Sequence, residues 1–168
     1  VVPLLPIDGA VAVRLDPALG AAPQRLAAVG LVESEPGPIT GWWQAKSVSP
    51  GEPLDQLVAR ALKVGADAFA SPVFVDPSGE SLIVTPWLLV AFEESTTEAE
   101  RDSILSRLKA SAIESEFAGM PRCYRVALAV QDGLEALDLA NMLAALPEVR
   151  YAEPDFIGTV TQDHIPND

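Results

Sequence analysis

The eight residues Arg150–Ile157, RYAEPDFI, closely repeat the eight residues Ala68–Val75, AFASPVFV, at an offset of 82 positions. Each stretch reads as a strand with a proline near its middle, where the missing N–H interrupts the hydrogen-bond ladder of a sheet. Self-similarity at a fixed spacing indicates a duplicated architecture. The pair therefore predicts a chain built from two similar halves.

The same offset relates further residues of the two halves: Trp43 and Arg125, Gly51 and Gly133, and Leu57 and Leu139. Near the start, Val11–Leu15 parallels Leu88–Phe92 at the shorter offset of 77. Each half is therefore predicted to contain a strand, an irregular or helical stretch, a strand, a helix and a strand.

Two helices are predicted in the second half. Thr97–Glu100 has the form of a capping box, and apolar residues on one helical face follow it: Ile104, Leu105, Leu108 and Ile113. Asp132–Glu135 has a similar form and opens a second helix, which Pro147 ends. In the first half, the short segment Ala21–Leu31 predicts a reduced first helix.

Helices that bury apolar stripes against one face of an antiparallel sheet give an α+β fold, here duplicated. The turn-forming sequence Asp76–Glu80 separates the halves. We expect an accessory repeat over 1–80, a second α+β unit over 81–157, and an extended tail over 158–168. The apolar residues on both sides of the turn equally suit a hairpin that joins the halves into one unit.

The composition limits the kinds of molecule that the chain is expected to bind. With 11 basic and 24 acidic side chains, the formal net charge is −13, which disfavours nucleic acid and favours a basic partner or exposed helix N-termini. No run of about 18 apolar residues exists, so no membrane span is expected. The apolar start lacks the basic flank of an intact signal peptide, and secretion is favoured if a leader was removed.

Residues for catalysis are scarce. His164 is the single histidine and lies near the end, where a solvated side chain is expected. Cys123 is the single cysteine and lies in an apolar run, so neither a disulfide nor a thiolate metal site is expected. Nucleophile, phosphate and dinucleotide motifs are absent. We expect no enzyme activity, cofactor or metal, and we expect two of the three tryptophans in the core and one exposed.

The strand that contains Ala-Glu-Pro-Asp-Phe, the capped helix before it and the polar end Ile165–Asp168 resemble the N-terminal prodomain of subtilisin-like serine proteases, most closely the fervidolysin type. The resemblance covers roughly residues 82 to 168. It implies a ferredoxin-like α+β fold whose outer sheet face packs on two helices of the protease. It also implies that the chain assists folding of the catalytic domain and inhibits it.

The resemblance also assigns roles to individual residues. Glu153 and Asp155 correspond to the two family carboxylates that cap the N-termini of the protease helices, and Tyr151 and Phe156 would contact them through the sheet. A carboxylate is favoured there because a helix N-terminus has unpaired N–H groups and a positive dipole end. The first half has Ser71 where the second has Glu153, so we expect only the second copy to dock.

The resemblance places the tail in the substrate groove as an extended strand. The residues assigned to the groove are Asp163, His164, Ile165, Pro166, Asn167 and Asp168. A cut after Asp168 would place Ile165 in the fourth pocket and require a basic primary pocket. The processing site is therefore expected elsewhere.

Two other functions remain open at this point. The chain could be a stand-alone inhibitor or interaction module that is encoded separately from its partner protease. A small-molecule-binding regulatory domain would share the same fold class, which is an analogy of fold alone.

Overall fold

The computed structural model describes residues 4–108 and 110–159. This part of the chain forms eight strands and four α-helices. The first half contains β1 Leu5–Arg14, α1 Ala22–Ala28, β2 Leu31–Pro36, β3 Trp42–Ser47, α2 Leu54–Leu62 and β4 Phe69–Val75. The second half contains β5 Ser81–Phe92, α3 Glu98–Ser106, β6 Ala110–Ser115, β7 Cys123–Leu128, α4 Gly133–Ala144 and β8 Val149–Thr159.

The two halves have the same topology. The strands follow the order β2-β3-β1-β4-β5-β7-β6, and β8 pairs with β5. Within each half, the first strand therefore lies between the third and the fourth, and the second is at the edge. All pairs between these strands are antiparallel. The predicted α+β class and its ferredoxin-like arrangement are confirmed.

Cross-strand pairing relates the copies residue by residue. Val11 pairs with Pro72 in the first half, and Leu88 pairs with Pro154 in the second. These pairs reproduce the predicted offset of 77 for the first strand of each half and of 82 for the last. In both copies the register shifts just beyond the proline. The repeated proline thus marks a bulge at the equivalent place in each copy, because its missing N–H tolerates an interrupted ladder.

The third strands differ from the prediction by one position. Val13 pairs with Trp43, and its equivalent Val90 pairs with Tyr124, so Trp43 matches Tyr124 and not Arg125. The offset there is 81. A shift of one residue exchanges the two faces of a strand, which is why the sequence alone placed Arg125 against the wrong counterpart.

Strands β2 and β6 were not predicted. Ile113 lies on β6, opposite Val126, and not on the helix that was predicted to carry it. It is 47% exposed, and its neighbours on β6 are small or polar. An exposed edge strand has no apolar alternation to reveal it, so pairing with β7 decides its structure rather than its own propensity.

The predicted hairpin between the halves is present. Strands β4 and β5 pair through Val75 and Ser81, and the Asp76 N–H donates to the Glu80 carbonyl at 3.0 Å. The Asp76 carboxylate accepts from the N–H groups of Ser78 and Glu80, at 2.8 and 2.9 Å. A tight, self-capped turn thus joins both copies into one sheet.

The helices of each half cover the equivalent face of their strands. Val11 and Val13 lie in a core with residues of α1 and α2, including Leu26 and Leu57. Leu88, Val90 and Phe92 lie in a core with residues of α3 and α4: Ile104, Leu105, Ala136, Ala140 and Leu143. Side chains of a strand point alternately to its two faces, so the residues of β5 that lie between Leu88, Val90 and Phe92 point to the opposite face.

The predicted helix starts are confirmed. The Thr97 hydroxyl accepts from the Glu100 N–H, and the Glu100 carboxylate accepts from the Thr97 N–H at 2.8 Å, which completes the capping box of α3. The Asp132 carboxylate accepts from the Leu134 N–H at 2.8 Å at the start of α4. Burial raises the pKa of Asp132 above its ordinary value, although this N–H bond opposes the shift.

Gly133 allows α4 to start directly against the first half. A Cβ on Gly133 would lie 2.6 Å from the Ser71 Cβ and 3.0 Å from its Cα, which is too close for any side chain. We expect Gly133→Ala to lower the free energy of unfolding by about 1–3 kcal/mol through overpacking. Gly158→Ala is the matched control, because its Cβ would meet only Leu82 at 3.7 Å.

Urea unfolding of both variants checks this prediction. The control is expected to stay within about 0.5 kcal/mol of the parent chain. Equal stability of Gly133→Ala and the parent would show that α4 does not start against Ser71 as closely as described.

Candidate protein-docking face

One face of the second half is turned away from the helices. Leu88 and Val90 of β5 point into the core, so Trp87 and Leu89 project to the opposite side. Leu89 pairs with Arg125 on β7 and with Glu153 on β8, which places these three side chains in one row across the sheet. We call this surface the outer face and define it by six residues: Trp87, Leu89, Arg125, Tyr151, Glu153 and Asp155.

The two predicted capping carboxylates differ in their surroundings. Glu153 is exposed and makes no hydrogen bond or ion pair with any residue that the structure describes. Asp155 accepts from the Arg125 guanidinium, with Nε at 3.0 Å and Nη2 at 2.9 Å, and both contacts use its Oδ2 atom. Its Oδ1 makes no such bond within residues 4–108 and 110–159. One free carboxylate and one free carboxylate oxygen thus remain to accept further N–H bonds.

Arg125 itself is held in place by aromatic rings. Its guanidinium carbon lies 4.0 Å from the centre of the Trp87 ring and 5.6 Å from that of Phe117. Stacking on a flat ring orders the guanidinium and leaves its edge free to bind a carboxylate. Asp155 is therefore oriented before any partner arrives, although its half-exposed ion pair with Arg125 adds little to stability by itself.

The bulge fixes the backbone at Asp155. Phe156 pairs with Val84 and Pro154 with Leu88, so Asp155 alone lies opposite the three residues 85–87. The Thr85 hydroxyl donates to the Asp155 carbonyl at 2.6 Å and spans the gap. Thr85 is only 8% exposed, so this bond is screened from water and holds the bulge in one geometry.

Tyr151 and Phe156, the predicted docking residues of the sheet, are both half-buried but lie in different places. The Tyr151 hydroxyl lies 3.4 Å from the buried Cys123 sulfur. This contact with the thiol, together with desolvation, raises the pKa of the Tyr151 phenol above its ordinary value. Phe156 lies beyond the bulge and lines a groove beside the outer face.

The first copy does not offer the same surface. Ser71, the counterpart of Glu153, is completely buried, and Val73, the counterpart of Asp155, is only 2% exposed. The start of α4 lies against Ser71, and Val73 is part of the core of the second half. A carboxylate at either position would lose its hydration without a partner, which explains physically why the two copies differ there.

Arg125 and Trp87 were missed by the sequence analysis as parts of this site. The signal for Arg125 was its position on a strand whose alternate residues are buried, since this predicts an outward cation near two outward carboxylates. Two tryptophans were expected in the core and one exposed. Trp42 is buried, Trp43 is half-buried and packs against the core of the first half, and Trp87 is half-buried on the outer face rather than exposed. The six predicted groove residues of the tail, Asp163 to Asp168, lie outside the described residues.

No described helix is both long and apolar enough to cross a membrane. Within the described residues, no three His, Cys, Asp or Glu side chains are grouped so that they could hold a metal ion.

Residues 84–155 match the family model of the fervidolysin N-terminal prodomain. The matched segment runs from β5 to Asp155 of β8 and contains the whole outer face. The resemblance drawn from the sequence is confirmed over this segment. A comparison with curated proteins finds no significant match, and neither does a comparison with solved structures.

Proposed function

We propose, from the premise that residues 84–155 form a fervidolysin-type N-terminal prodomain, that the whole chain serves a subtilisin-like serine protease as its prodomain. In this role it is an intramolecular chaperone and an active-site inhibitor of the catalytic domain, and not an enzyme. The observation that carries the proposal is the outer face. It combines an exposed Glu153, which has no partner among the described residues, with a pre-oriented Asp155 inside the matched segment.

The proposed mechanism of docking uses these two carboxylates. Each accepts N–H bonds from the first turn of a surface helix of the catalytic domain, where the backbone donors have no partner within the helix. Leu89, Tyr151 and Trp87 supply the apolar contact between them. Such a contact contributes about 0.3–1 kcal/mol for an exposed carboxylate and up to about 2 kcal/mol for one that becomes partly buried.

The proposed inhibition uses the end of the chain. Residues 163–168 lie in the substrate groove as an extended strand, bound by backbone hydrogen bonds and by pockets for alternate side chains. The sheet and the tail bind the same catalytic domain, so each raises the effective concentration of the other. Residues 1–80 are proposed to be an accessory repeat that is fused to the docking unit through the β4–β5 hairpin.

The experiment adds the purified chain to its cognate catalytic domain in two assays. In the first, we expect slow, tight inhibition of peptide hydrolysis. In the second, we expect a higher yield of active enzyme when the catalytic domain refolds from denaturant with the chain present. If micromolar chain leaves both hydrolysis and refolding yield unchanged, the proposed function is wrong.

A further inference from the structure

A groove of about 400 Å³ separates the outer face from the first half of the chain. One wall comes from the first half and contains Arg14, Ile39 and Trp42. The other wall contains Trp87, Arg125 and Asp155, which also belong to the outer face. A protein bound on the outer face would therefore extend directly over this groove.

Arg14 is the unusual side chain of the groove. Its guanidinium carbon lies 5.6 Å from the centre of the Phe69 ring and 6.0 Å from that of Trp42. It is half-buried, yet no carboxylate or other acceptor among the described residues binds it. Burial without a counter-charge lowers the pKa of Arg14 below its ordinary value.

The other half-buried arginines that the structure describes all have oxygen partners. Arg25, Arg60 and Arg125 donate to carboxylates. Arg101 donates to the Tyr124 hydroxyl, and Arg122 to the carbonyls of Glu93 and Thr96. A partly desolvated guanidinium is normally paired, because its donors otherwise lose hydrogen bonds to water without compensation. Among these half-buried arginines of the described residues, Arg14 is the one with no oxygen partner at all, and its donors open to solvent at the groove.

We propose that the groove receives an aspartate or glutamate side chain of the catalytic domain, with Arg14 as its anchor. This inference rests on the proposed function and gives the first half a direct part in the interface. The charge of the groove supports it: Arg125 is neutralised by Asp155, so Arg14 leaves a local excess of positive charge in a chain whose net charge is −13. An acidic side chain meets the least repulsion there.

The chemistry of Arg14 also suits this role. Two aromatic rings restrict the guanidinium, so less conformational entropy is lost when it binds a planar carboxylate with two parallel hydrogen bonds. The outer face presents carboxylates to helix N-termini, whereas the groove presents the Arg14 guanidinium to a carboxylate. Opposite charges at two separate points of one interface fix the register in which the partner docks.

The test compares Arg14→Gln with Lys63→Gln in the full chain, by measuring inhibition constants against the cognate catalytic domain. Lys63 follows α2, is exposed, and carries the same charge on the same half. We expect Arg14→Gln to weaken inhibition about tenfold, and Lys63→Gln to change it less than twofold. The effect of Arg14→Gln should shrink at high salt, because salt screens a half-exposed ion pair.

A second variant keeps the test valid if Arg14→Gln disturbs the packing of Trp42. Ile39 lies at the groove and is 50% exposed, so Ile39→Glu should fold normally and place a competing carboxylate near Arg14. We expect it to weaken inhibition as well. Thermal unfolding of each variant establishes that the fold is retained.

The outcomes separate this inference from the proposed function. If the parent chain inhibits and both groove variants inhibit equally well, the groove is not part of the interface and only this inference is overturned. If Arg14→Gln no longer weakens binding to the catalytic domain when parent and variant both lack residues 160–168, as measured by calorimetry, the carboxylate belongs to the chain itself, which also overturns it. If the parent chain does not inhibit at all, the proposed function itself is wrong.

Discussion

Replacing Glu153 and Asp155 together by alanine is expected to weaken inhibition of the catalytic domain at least tenfold while the chain stays folded. Both side chains project from the outer face, and neither is part of the core. Two helix-capping contacts of about 0.3–2 kcal/mol each are lost, and a tenfold change corresponds to about 1.4 kcal/mol. Inhibition constants from progress curves measure the effect, and thermal unfolding checks the fold.

Two controls separate the capping role from simpler effects. Asp102→Ala with Asp138→Ala removes the same charge from exposed positions of α3 and α4, on the helix side. We expect these substitutions to leave inhibition nearly unchanged. Arg125→Ala breaks the ion pair with Asp155 but keeps both carboxylates, so it isolates the part of the effect that comes from orienting Asp155. Unaltered inhibition by the double alanine variant would contradict the capping role.

The largest expected effect on stability comes from Ser71→Glu, which gives the first copy the carboxylate that the second copy carries. Ser71 is fully buried, and the start of α4 leaves no room beside it. An unpaired carboxyl group there should lower the free energy of unfolding by about 3 kcal/mol or more. The reciprocal change, Glu153→Ser on the exposed outer face, should alter stability by less than about 0.5 kcal/mol.

The part of the destabilisation by Ser71→Glu that comes from the negative charge should depend on pH. Burial raises the pKa of the introduced carboxyl group in the folded state above its unfolded value of about 4.3. The unfolded chain therefore releases its proton first, and stability falls as the pH rises from about 4 towards the folded-state pKa. Ser71→Gln has the same size without the charge and should lack this dependence. Urea unfolding between pH 4 and pH 8 measures the difference, and parallel pH profiles for the two variants would show that the site is hydrated.

The sequence was most informative where a side chain is buried or fixes the backbone. Pro72 and Pro154 marked the duplication, and the structure places each beside the register shift of its own copy. Thr97 and Asp132 marked helix starts because caps use local hydrogen bonds, which depend on neighbouring residues alone. The family match confirms the resemblance over residues 84–155.

The remaining features depend on pairing between distant residues. Strand β6 escaped prediction because an exposed edge has no apolar pattern, and the segment is a strand only where β7 offers hydrogen bonds. The Arg125–Asp155 pair joins residues 30 positions apart, on two strands that both pair with β5. The place of Arg14 beside Trp42 and Phe69, away from any acceptor among the described residues, depends on two other strands. Sequence patterns carry none of this register information.

Burial of Ser71 and Val73 also limits how many enzyme molecules one polypeptide is expected to bind. Duplication of a docking unit would ordinarily create two equivalent attachment points, and a single polypeptide could then engage two enzymes at once. In this chain the junction between the copies covers the first of these points, because Ser71 and Val73 are buried there. A titration monitored by light scattering should therefore saturate at one enzyme per polypeptide, with no larger assembly at excess enzyme.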